Sequence, residues 1–93
     1  MTTERQLEAS CGREAKRRRL LFLKLFPYVA GLPDRVLLAP NGRFLLMELK
    51  TSTGRLRPAQ AFLHVLWARW GFTVHIVRDR AAFDELCDTL AQI

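Results

Sequence analysis

Apolar and polar positions along this 93-residue chain fall into seven alternating blocks. Leu7, Cys11 and Ala15 recur at helical spacing behind Thr3, and Gln6 three residues after that threonine completes a capping box, which predicts a helix through about Arg18. Leu20 to Phe26 is apolar except for Lys24 and reads as a first strand. Two further runs, Val36 to Ala39 and Arg43 to Lys50, are joined by Ala39-Pro40-Asn41-Gly42. Proline at the second position of that word and glycine at the fourth predict a three-residue hairpin loop with a left-handed glycine. Thr51 to Arg57 is a polar connection, and Pro58 suits the first turn of a second helix ending near Trp70, with Gly71 as its stop. Phe72 to Val77 follows as a fourth strand. Phe83, Leu86, Cys87 and Leu90 place a last helix over Ala81 to Gln92. The expected order is α-β-β-β-α-β-α, a mixed sheet of about four strands flanked by helices, and residues 1–93 are expected to form a single domain.

The hairpin changes the picture because its register can be counted. If Ala39 pairs with Arg43, then Val36 falls opposite Leu46 and Asp34 opposite Glu48, and directly opposed residues share a face. Lys50, two residues beyond Glu48, projects from the same face. The run from Arg43 to Lys50 otherwise reads as a strand buried on both faces, where unpaired charge costs several kcal/mol or more. Two carboxylates held together repel unless a cation lies between them. Hard oxygen ligands suit magnesium, so Asp34, Glu48 and Lys50 read as a divalent-metal site with a fixed cation beside it. Taken singly, Asp34 is also an ordinary turn residue after Pro33, and Glu48 with Lys50 an ordinary strand-end ion pair.

Charge agrees with a polyanionic partner. The formal net charge is +6, the pI is near 10.4, and twelve of the fifteen basic residues are arginine, the side chain best suited to bidentate phosphate contact. Nucleic acid is the expected partner. Ninety-three residues bury roughly 60 to 65% of their unfolded surface, enough for one modest core. Cys11 and Cys87 lie in no metal-ligand spacing and are expected to be reduced thiols. No hydrophobic signal segment opens the chain and no apolar run is long enough to span a membrane, so the expectation is a cytoplasmic protein with no membrane partner.

Pro33-Asp34, thirteen intervening residues and then Glu48-Leu49-Lys50 resemble the PD-(D/E)XK nuclease signature. Gly31-Leu32-Pro33-Asp34-Arg35, Pro40-Asn41-Gly42, Met47 to Lys50, Gly54 to Pro58, Gln60 and Trp70-Gly71-Phe72 resemble, in order and spacing, the virus-type replication-repair nuclease (VRR-NUC) domain. The likeness runs from about Glu8 to Val77 and is closest to stand-alone domains of phage or bacterial type. It implies a minimal restriction-endonuclease-like α/β fold and a Mg2+-dependent endonuclease, with Mn2+ as a substitute, acting in a bacterial or phage-infected host cell. Asp34, Glu48 and the backbone carbonyl of Leu49 would bind the ion. Lys50 would orient or activate the attacking water, Gln60 would shape the site, and Glu8, with Glu4 as a competing residue, would complete it as a further acidic ligand.

Small members of that family are expected to cut branched DNA such as four-way junctions as homodimers, two sites on a two-fold axis nicking two equivalent strands. Arg55 and Arg57, on a glycine-containing loop beside the site, are the stronger candidates for DNA contact. Arg17, Arg18 and Arg19 form a basic cluster that equally suits a solvated helix end. Lys24 is read as facing the same cleft or snorkelling at a sheet edge. Trp67 and Trp70 read as core or, if exposed, as a subunit interface. A less selective or partner-dependent nuclease and a non-catalytic basic DNA-binding module remain the alternatives.

Overall fold

The structure, a computed structural model, describes residues 2–26 and 28–91. Its elements follow the order read from the pattern: α1 (Glu4–Arg17), β1 (Leu21–Lys24), β2 (Arg35–Leu38), β3 (Phe44–Leu49), α2 (Pro58–Arg69), β4 (Val74–Val77) and α3 (Arg80–Ala91). The expected end of α3 at Gln92 lies outside the described residues. Thr3 caps α1 as expected, its hydroxyl accepting from the Gln6 N–H while the Gln6 side chain accepts from the Thr3 N–H.

The four strands form one sheet in chain order, β1-β2-β3-β4. β1 and β2 pair antiparallel, as do β2 and β3, while β3 and β4 pair parallel through the α2 crossover. The hairpin has the counted register: Val36 faces Leu46, and the Ala39 N–H donates to the Arg43 carbonyl at 3.0 Å. Gly42 takes φ +83°, the left-handed conformation the turn demands. Beyond the turn, the Asn41 side chain donates to the Leu90 carbonyl and Arg43 to that of Thr89, so the hairpin tip also satisfies open carbonyls near the end of α3.

Side-chain alternation divides the sheet into two unlike faces. One carries Leu37, Met47, Leu49 and Val77, all fully buried beneath α1 and α3, where they meet Leu7, Cys11, Ala15, Phe83, Cys87 and Leu90. Both cysteines are free, and burial pushes their thiols up to about 12 for Cys11 and about 11 for Cys87. Neither thiol ionises near neutrality. The other face carries the charged end of the hairpin and is only partly covered by α2. The expectation that β3 is buried on both faces therefore holds for its last three residues alone, and Phe44 at its start is 50% exposed.

The two outer helices are joined by charge as well as by packing. Glu14, buried on α1, accepts from Arg17 and Arg18 on its own helix and from Arg80 on α3, and Arg18 also reaches Asp88. Hydrogen bonds from Arg17 and Arg18 hold the Glu14 carboxyl down at about 2, against an ordinary value of 4.5. A lowered carboxylate pKa contributes stability that is present above the ordinary value and lost as pH falls toward the lowered one. Glu14→Gln is thus expected to lower the melting temperature at neutral pH and to flatten its decline between pH 4.5 and 2, checked by thermal melts across that range.

Candidate active site

A cleft of about 310 Å³ opens where the hairpin's carboxylate end meets the first turn of α2, with Glu4, Asp34, Glu48, Lys50, Arg57 and Gln60 on its walls. Asp34 enters from the residue before β2 and Glu48 from β3, the two positions that the hairpin register sets opposite one another. Asp34 Oδ1 accepts the Leu49 N–H at 3.3 Å, which ties it across the ladder to β3. Glu48 is 3% exposed; its Oε2 accepts from Gln60 Nε2 at 3.0 Å and lies 3.7 Å from Lys50 Nζ. Gln60 completes the bridge with its side-chain oxygen, which accepts the Arg57 N–H at 2.9 Å. One glutamine therefore joins the open end of α2 to the buried carboxylate, satisfying a helix N-terminal donor in the process.

Electrostatics mark this pair as costly. Burial raises the Asp34 carboxyl, and the Arg35 guanidinium opposes that rise. Burial also raises Glu48, reinforced by the charge of Asp34 and opposed by Lys50. Glu48 Oε1 is buried with no hydrogen-bond partner among the described residues. A buried carboxylate oxygen left open beside a second carboxylate has the donor chemistry that a hard divalent cation completes.

Gly31 sets the cleft's near wall. Its φ is +93°, and a Cβ there would stand 2.6 Å from the Ala59 carbonyl oxygen and 2.8 Å from its carbon. Only glycine lets this loop lie against the first turn of α2 beside Gln60.

The expected residues separate into those the cleft gathers and those it does not. Asp34, Glu48, Lys50 and Gln60 come together, and Arg57 lines the mouth. Arg55 is exposed on the same loop. Glu8 is elsewhere engaged: its Oε1 lies 2.7 Å from Arg35 Nη2, and the helix turns Glu4, the competing acid, to the cleft. Among the described residues no group of three or more His, Cys, Asp or Glu is placed to hold a metal, so Asp34 and Glu48 stand as a pair. Lys24 pairs with Arg35 and so stands on the sheet face opposite Asp34 and Glu48, exposed on the edge strand, the second of its two expected places rather than the first. Arg17 and Arg18 are spent on Glu14, and the cluster with Arg19 sits at the far end of α1, about 20 Å of helix from Glu4.

Three further residues shape the site, Arg35 on the face that strand alternation predicts for it and two to which sequence reasoning gave no role. Arg35 belongs to the covered face, as alternation requires, yet its Nη1 reaches back to the Asp34 carbonyl at 2.9 Å and lies 3.5 Å from Asp34 Oδ2. Arg78 donates to the carbonyls of Thr51 and Gly54 and so fixes the loop that carries Arg55. Gly31 is the third; its place in the Gly-Leu-Pro-Asp word was the signal that could have found it. Trp67 is half-buried, whereas Trp70 is 66% exposed and so lies outside the core.

No family model matches the chain, and no curated protein does. Among solved structures it is similar to one described as a VRR_NUC domain, at 22% identity and a TM-score of 0.79, over 95% of this chain and 97% of the other. Helix order and the mixed four-stranded sheet thus have the fold of a VRR_NUC domain.

Proposed function

We propose that the protein is a divalent-metal-dependent endodeoxyribonuclease that cuts branched DNA, four-way junctions among them, as a homodimer. The observation that carries the reaction is the pairing of half-buried Asp34 with buried Glu48, whose Oε1 is enclosed without a hydrogen-bond partner among the described residues, with Lys50 beside it. Asp34, Glu48 and the Leu49 carbonyl would hold Mg2+, or Mn2+ in its place; the ion would supply Lewis acidity toward the phosphate. Gln60 keeps Glu48 from turning out of the cleft. The Lys50 ammonium orients the attacking water and meets the charge that grows on the phosphate oxygens. Water adds to phosphorus as the P–O3′ bond breaks, leaving a 5′-phosphate and a 3′-hydroxyl. Arg55 and Arg57 lie beside the cleft, where a DNA backbone would run, and a chain of net charge +6 attracts it there.

Dimerism is supported by the uncovered part of the sheet face that carries the site. Leu21, Leu38 and Phe44 form one cross-strand row, and Phe44, Leu46, Trp67, Trp70 and Phe72 line an apolar hollow of about 350 Å³. From Pro58 to Ala68 α2 carries no charged residue, though Phe62 and Val65 are more than half exposed. A stretch of helix with its single cation, Arg69, at its last residue is a poor seat for phosphates. It is a place where two copies of a +6 chain can meet with few like charges facing, and exposed apolar patches of this kind mark protein interfaces.

The test is cleavage of labelled four-way junction, splayed-arm and linear duplex DNA with Mg2+, Mn2+ or EDTA. Paired junction nicks that need metal and fall by on the order of a thousandfold in Asp34→Ala are expected. Junction binding with no metal-dependent cutting would instead identify a DNA-binding module.

A further inference from the structure

Arg35 is a buried cation with two carboxylates in reach. Its side chain is 5% exposed; Nη2 is 2.7 Å from Glu8 Oε1, while Nη1 is 3.5 Å from Asp34 Oδ2 and donates to the Asp34 carbonyl at 2.9 Å. A buried guanidinium requires a carboxylate, and it favours two parallel hydrogen bonds to one when geometry allows. Asp34 is the adjacent residue and so is always available to it. What holds the guanidinium at the longer of the two distances from Asp34 is the shorter contact to Glu8.

We infer that Glu8 is a positioning residue: by engaging Arg35 it keeps that cation from closing on Asp34 and leaves the Asp34 carboxylate open to a divalent ion. The inference rests on the metal-dependent reading above. Glu8 thereby acts on the site from α1 without being a ligand, which fits its engagement by Arg35. The same arrangement would let an arginine stand beside a metal ligand without displacing the metal. Glu8 offsets the Arg35 charge before it reaches the cleft, and the remaining contact to the Asp34 carbonyl fixes the backbone from which the carboxylate projects.

The experiment is Mn2+ binding measured by titration calorimetry, with DNA absent, for wild type, Glu8→Gln, Glu8→Asp and the double variant Glu8→Gln/Arg35→Met. Glu8→Gln is expected to weaken Mn2+ binding by about tenfold or more, as loss of outer partners of metal ligands does. Glu8→Asp keeps the countercharge and should bind nearly as wild type does. The double variant should regain the wild-type affinity, because the competing cation has gone with its restraint. If Glu8 were a ligand, Glu8→Asp and the double variant would stay as weak as Glu8→Gln, and the inference would fall. Wild-type affinity in Glu8→Gln would overturn it as well. Failure of the wild-type protein to bind Mn2+ overturns the metal reading itself, and the inference with it.

Discussion

Glu48→Gln is expected to abolish cleavage and, without metal, to raise the melting temperature. Cleavage should fall by at least about a thousandfold, because a neutral amide cannot replace the carboxylate in holding the ion. Stability should move the other way. Burial and the neighbouring Asp34 charge both hold the Glu48 carboxyl above its ordinary value, so its ionised form costs the metal-free fold free energy. The sign follows from proton linkage: with the folded pKa raised, stability is lost as pH rises from the ordinary carboxylate value through the raised one. Glutamine keeps the shape and still accepts from Gln60 through its oxygen. Calorimetric melts in EDTA and in Mg2+ separate the effects. Metal should raise the wild-type melting temperature and leave that of the variant unchanged. A variant that melts lower than wild type in EDTA would show that the acid pair is not a strained arrangement.

The second large effect is expected from Phe44→Asp, which should convert a dimer into a monomer with its fold intact. Phe44 lies in the row with Leu21 and Leu38 and borders the hollow formed with Trp67, Trp70 and Phe72. It is half exposed, so an aspartate there is tolerated by the isolated chain. Buried against a second copy, the same carboxylate would lie unpaired among apolar groups, and association should weaken by on the order of a hundredfold or more. Sedimentation velocity reads the oligomeric state. The junction assay reads its consequence: paired nicks should become single, uncoordinated ones while metal dependence is kept. A wild-type protein that sediments as a monomer at micromolar concentration would remove the dimer from the proposal.

How far the site was legible follows the chemistry of individual segments. Pro40 and Gly42 specify one turn, the turn specifies one register, and the register sets Asp34 opposite Glu48 without knowledge of the rest of the chain. Pro58 and Gly71 likewise delimit α2 and put Gln60 in its first turn. Lys24 was left with two readings because the connection from β1 to β2 is long and contains no turn word to count from, so its parity against Arg35 could not be fixed locally. Glu8 and Arg35 meet through the docking of α1 on the sheet, and Glu14 collects Arg80 from sixty-six residues away. Such encounters are tertiary, and helical spacing alone offered Glu4 and Glu8 as rivals. The exposure of Trp70 and Phe62 has the same origin, since α2 reads as core-forming until the sheet beneath it proves narrower than its apolar surface.

The chain-order sheet also bears on kinetics. Asp34 and Glu48 are separated by one short hairpin, whose closure carries a small entropic cost, whereas the parallel pairing of β3 with β4 must await the whole α2 crossover. The mutual repulsion of the acids therefore arises early in assembly, before Gln60 is in place to restrain one of them. A nascent hairpin that already gathers this much negative charge has an intrinsic reason to collect a cation while the chain is still folding.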